Sequence, residues 1–102
     1  MSNKFRTKLT EIEAVQLTWP NWNKICEFVP KPWFLEGCFT DGKSNVSETP
    51  KVGFEKLGLK IKTLESNIFV AKETDWIIKG LEGEFYACDD RIFNKKYEKV
   101  ED

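Results

Sequence analysis

The sequence predicts an α+β fold: a single domain over residues 1–102, with short strands in an antiparallel sheet or partly open barrel, one N-terminal amphipathic helix and a short C-terminal helix. Three observations predict it. Apolar residues recur at helical offsets in one short stretch after the first strand. Runs rich in β-branched and aromatic residues, parted by Gly, Asn, Asp and Ser, fill the C-terminal half and read as a meander. A length of 102 residues suits one core and no second.

Lys4 to Lys8 is a polar lead. Ile12 to Trp19 reads as the first strand, with Ile12, Ala14, Gln16 and Thr18 on one face and Glu13, Val15, Leu17 and Trp19 on the other. Pro20 stops the pairing, and Asn21 is placed to cap a helix in which Trp22, Ile25, Cys26 and Val29 fall three and four apart. Pro30 and Pro32 end that helix, because each lacks an N–H and disfavours α geometry in the residue before it. Trp33 to Phe39 forms a short aromatic strand. Thr40 to Lys51 gathers Asp, Gly, Ser, Asn, Thr and Pro around Val46, a loop of the length that often carries function. Gly53 and Gly58 weaken any regular element between Val52 and Leu59.

From Leu59 the pattern sharpens. Leu59 to Leu64 is a strand, Glu65 to Asn67 a turn, Ile68 to Ala71 a second strand and Asp75 to Lys79 a third. Gly80 and Gly83 are expected to supply positive φ in a tight turn into Glu84 to Cys88, which closes a hairpin. Strand alternation sets Trp76 and Ile78 on one face and Ile77 and Lys79 on the other, and parts Glu84 and Tyr86 from Phe85 and Ala87. Asp89 or Asp90 caps a last helix through Lys95 that buries Ile92 and Phe93, and Tyr97 to Val100 ends the chain as a strand or tail.

Composition excludes several function classes. Sixteen basic residues against seventeen acidic leave no global field toward phosphate backbones or anionic membranes. No run of about eighteen apolar residues and no signal-peptide core occurs, so a soluble cytoplasmic protein is expected. Three cysteines, Cys26, Cys38 and Cys88, lack close pairing and read as buried structural thiols in a reducing compartment. Histidine is absent, which removes the commonest general base and metal ligand. With no Cys-x-x-Cys, no glycine-rich phosphate loop and only ordinary carboxylate density, no enzyme activity, no metal and no cofactor is expected.

The most distinctive stretch is Thr74-Asp75-Trp76-Ile77-Ile78-Lys79-Gly80-Leu81-Glu82-Gly83-Glu84-Phe85-Tyr86-Ala87-Cys88, followed by Ile92-Phe93 and Tyr97-Glu98. It resembles the C-terminal half of a widespread group of small, mostly uncharacterised phage and prophage proteins. In that group Gly-Asp-Tyr/Trp-Ile-Ile-Lys-Gly leads to Gly-Glu-Phe-Tyr-x-Cys, then Ile-Phe and Tyr-Glu. The basic lead, Ile12-Glu13-Ala14-Val15-Gln16 and Glu27-Phe28-Val29 are similar to the group's first half, while residues 30–58 have no counterpart. Thr74 stands where the group usually has Gly, which implies a different approach to the strand, and Asp89 follows Cys88 where Lys is frequent. The resemblance implies phage or prophage origin and action on host machinery or defence.

The aromatic segment Trp19, Trp22, Trp33, Phe34 and Phe39 exceeds what one small core readily buries. Trp22, Trp33, Phe34 and Phe39 are therefore the candidate partner-binding residues, at the mouth of the long loop. The acidic edge of Asp75, Glu84 and Tyr86 is the secondary candidate surface. The expectation is a non-enzymatic phage or prophage accessory protein that binds a host or phage protein, as an inhibitor of a host process or defence system, through residues 30–51. The alternative is a small-molecule sponge for a signalling nucleotide, in a pocket or at a dimer seam. Nucleic-acid binding ranks third, since aromatic stacking normally comes with a basic groove.

Overall fold

The computed structural model describes residues 3–6, 11–42, 46–47, 49, 56–63 and 65–99. In chain order the elements are β1 (Asn3–Arg6), β2 (Glu11–Gln16), α1 (Trp22–Phe28), β3 (Phe34–Thr40), β4 (Val46–Ser47), β5 (Lys56–Lys62), β6 (Ile68–Lys72), β7 (Trp76–Lys79), β8 (Phe85–Cys88), α2 (Asp90–Lys96) and β9 (Glu98–Lys99). They form an α+β domain of two antiparallel sheets, one curled into a half-barrel. The first sheet runs β8-β7-β2-β1-β9 and the second β4-β3-β5-β6.

Strand alternation in the first sheet feeds two cores. Val15 and Leu17 at β2, Ile77 on β7 and Phe85 on β8 point to one side, where they meet Ile25 and Val29 of the α1 region and Leu57, Leu59, Ile61 and Ala71 of the second sheet. Ala14 and Ile78 point to the other side and are covered by Phe93 of α2, with Ile12, Trp76, Cys88 and Tyr97 packed around them. The register follows from this division, since β2 pairs β7 with Ala14 opposite Ile78 and Val15 opposite Ile77.

Several elements depart from expectation for identifiable reasons. The polar lead includes β1, which pairs with both β2 and β9. Asn21 occupies the N-cap of α1, but its amide donates to the Gln16 carbonyl instead of accepting from the helix. Gly58 lies inside β5, paired with Cys38, because a Cβ there would press on Cys38 Sγ at 3.0 Å and on Thr40. Of the loop expected over Thr40 to Lys51, Val46–Ser47 pairs with β3, and residues 43–45, 48, 50 and 51 lie outside the described residues, as does Gly53. Asp89, not Asp90, caps α2 by accepting from the Arg91 amide. Phe93 is buried as expected, whereas Ile92 is 57% exposed because a two-turn helix turns one narrow stripe inward.

Only Gly83 of the hairpin glycines takes positive φ, at 83°. Gly80 serves differently, since the Glu84 side chain lies where a Cβ would stand. Thr74, at φ 75°, adopts the left-handed conformation that favours glycine at the turn into β7. Its backbone is held by Thr74 N–H donating to Leu17 O at 2.8 Å and by Gln16 Nε2 donating to Thr74 O at 2.9 Å. Thr74→Gly should therefore stabilise the protein by about 1 kcal/mol, relief of β-branched strain exceeding the added unfolded-state entropy. Urea denaturation checks this, and a loss of stability would refute the strain account.

Candidate functional site

The strongest candidate grows from α1 and β3. Ile25 and Val29 are fully buried and fix the helix against the core, which leaves Trp22, three residues before Ile25, directed at β3. There Gly37 offers bare backbone, and a Cβ at that position would lie 2.8 Å from Trp22 Cη2. The glycine is required for the close approach of the indole. Trp19 flanks Trp22 with ring centroids 6.4 Å apart, and Phe34 backs it at 5.9 Å. Trp19, Trp22, Phe39 and Leu57 wall an open concavity of about 550 Å³ whose floor includes Glu36, Gly37 and Cys38. Trp19 is 55% exposed.

Glu36 forms an ion pair with Lys60 across the sheet. Burial pushes the Cys38 thiol above its ordinary range, so it is protonated and unreactive at neutral pH. Backbone direction follows from the ladder. The Leu57 amide bonds the Glu73 side chain on the β6 side, so the residue paired with Leu57, Phe39, directs its amide and carbonyl away from β5. Gly37, two residues earlier, does the same. Phe39 meets Ser47 of β4, whereas Gly37 lies beyond the end of that two-residue strand.

The structure thus gathers Trp22, Phe39 and, behind them, Phe34. Trp33 stands apart, half-buried and packed on the core with its ring 6.4 Å from Phe85. Trp19 joins the concavity from the aromatic segment, and Glu36 and Gly37 join it with no sequence signal of their own. Their place depends on the Trp22 ring of α1 reaching Gly37 and Phe34 of β3, which no local pattern encodes.

The secondary candidates do not form one surface. Asp75 is buried at the β6–β7 turn, where Oδ2 accepts from the Lys72 amide at 2.9 Å. Burial raises its pKa, outweighing the opposite pull of that amide. Glu84 and Tyr86 instead line a second open concavity of about 410 Å³ with Ile12, Leu81, Lys96 and Tyr97. Burial first, then a hydrogen bond with Tyr97, pushes Tyr86 up to about 12, so its hydroxyl is neutral. The thiols also differ from one another. Cys38 is buried and Cys88 half-buried, but Cys26 is exposed because Ile25 and Val29 take the inner stripe of α1, which corrects the expectation of three buried thiols.

Fold and site together define a small α+β domain that carries, among the described residues, an aromatic concavity between a short helix and a sheet. Compared with protein-family models, curated proteins and solved structures, the chain matches none. No helix among the described residues is long and apolar enough to cross a membrane.

Proposed function

We propose that the protein is a non-enzymatic binding module, a phage or prophage accessory protein acting in the host cytoplasm, that engages a host or phage protein through the concavity of Trp19, Trp22 and Phe39. One observation carries the reading: an apolar, aromatic-walled concavity in which Trp19 is more than half exposed. Exposed tryptophan beside a pre-formed recess is the composition of an interface hot spot. Gly37 adds an outward-facing backbone amide and carbonyl at the floor, which suits an extended peptide segment. The rival, a signalling nucleotide, has rings on which to stack, but its phosphates would face Glu36, and no Lys or Arg lines the recess among the described residues.

The test is capture of the partner from host lysate, followed by titration of the identified protein against wild type and Trp19→Ala. Because Trp19 lies largely outside the core, Trp19→Ala keeps the wild-type melting temperature within a few degrees. Binding should weaken at least tenfold, the scale of a truncated hot spot. Equal binding by both proteins would overturn the site, and a rise in melting temperature with a nucleotide panel would favour the rival.

A further inference from the structure

The second sheet ends on β6, whose outer edge is open over a short, defined stretch. The Leu57 amide points toward β6, and the alternation of the ladder then sets Leu59 and Ile61 as the β5 residues bonded to β6, opposite Ala71 and Phe69. Ile68, Val70 and Lys72 consequently direct their amides and carbonyls away from the sheet. Two backbone bonds agree with this parity: Lys72 N–H donates outward to Asp75 Oδ2 at 2.9 Å, and Lys72 O accepts from the Asp75 amide at 3.0 Å. Lys72 is thereby satisfied. At the other end the Asn67 carbonyl is taken by Thr63 N–H at 2.9 Å and the chain turns at Ser66, φ 64°. The outward groups of Ile68 and Val70 have no partner among the described residues.

The side chains on this edge are unprotected. Ile68 is 66% and Phe69 44% exposed, and no charge, proline or bulge interrupts Ile68 to Ala71. Strand edges are ordinarily blunted by such features, because an apolar open edge recruits another strand.

We propose that β6 is a self-association edge that pairs antiparallel with β6 of a second copy of this chain. The free groups themselves select that occupant and its register. A two-fold axis at Phe69 sets Ile68 opposite Val70 of the other copy, and Val70 opposite its Ile68. Both are hydrogen-bonding pairs, so the four free amides and four free carbonyls of the two edges are all used, and none is left over. Phe69 then faces its own counterpart at a non-bonded position, where side chains approach most closely. A two-fold axis at Val70 would instead match Ile68 with Lys72, whose groups Asp75 already occupies. The result is an isologous contact that joins two four-stranded sheets into one of eight. Four hydrogen bonds and a few apolar side chains make a small interface, with a dissociation constant on the order of 100 µM. This edge is distinct from the aromatic concavity and does not depend on what binds there.

Sedimentation equilibrium of the full chain over a concentration series tests the proposal, with cysteine cross-linking to read the register. The expected result is a monomer–dimer equilibrium without larger species. In a Cys26→Ser background, Phe69→Cys should form an intermolecular disulfide under mild oxidation, its Cα atoms about 4.5 Å apart across the axis. Ile68→Cys should cross-link at least tenfold more slowly, since its counterpart lies beyond roughly 7 Å. Val70→Pro removes an outward amide without touching the β5 ladder and should sediment as a folded monomer. Monomer at every concentration, open-ended aggregation, or equal cross-linking at positions 68 and 69 would overturn the proposal. The cross-linking comparison decides even if Val70→Pro fails to fold.

Discussion

Phe93→Ala should cost about 4 kcal/mol and lower the melting temperature by on the order of 20 °C, the largest effect expected of any single truncation here. Phe93 is the only buried residue of α2, and it stacks on Trp76 at 4.3 Å with planes 8° apart and on Tyr97 at 4.9 Å. Its removal leaves a cavity over Ala14 and Ile78 and withdraws the aromatic contacts that hold a seven-residue helix too short to persist alone. Urea denaturation with an unchanged denaturant slope is the measurement. A loss under 2 kcal/mol would show that α2 contributes little to the fold.

The second large effect falls on the polar side of the same contact. Asp90 Oδ1 accepts from Trp76 Nε1 at 2.8 Å, Asn94 Nδ2 at 3.1 Å and Gln16 Nε2 at 3.2 Å, so one carboxylate oxygen ties α2 to both β2 and β7. Asp90→Ala removes the acceptor of the half-buried Trp76 indole N–H and of the Gln16 and Asn94 amides, and takes an acid from the first turn of the helix, for a loss of about 3 kcal/mol. Asp90→Asn retains an acceptor oxygen and should lose only about 1 kcal/mol. Thermal unfolding of the two variants side by side checks the ranking, and equal losses would mean that charge, rather than the shared acceptor, sets the contribution.

What the sequence made legible follows the range of the interactions involved. The β7–β8 hairpin, the inward residues of β2 and, Cys26 excepted, the stripe of α1 are period-two and helical three-and-four patterns within a few residues, and they hold in the fold. Elements set by distant partners were less legible. Nothing polar in Asn3–Arg6 announces a strand, because β1 exists through backbone pairing to β2 and β9. Gly58 reads as a breaker until Cys38 and Thr40 are seen to need its missing side chain. The candidate site divides in the same way. Aromatic content marked Trp22, Phe34 and Phe39, but the inward turn of Trp33 onto Phe85 and the seating of Trp22 on Gly37 depend on contacts between elements distant in sequence. Asp75 and Glu84 lie nine positions apart in a hairpin-rich segment, yet one closes a buried turn and the other rims an open recess.

The central position of β2 in the first sheet carries a further consequence. Because Val15 and Ile77 supply one core while Ala14 and Ile78 supply the other, a one-residue slip between β2 and β7 would exchange the contents of both at once. The register is thereby encoded twice, and neither face of that pair is free to evolve a contact with anything else. Sequence drift is pressed outward, to Trp19, to Ile68 and Phe69, and to the outer stripes of the two helices. In this architecture the middle of the sheet is where lineages of the fold should stay alike, and its rim is where they should acquire different partners.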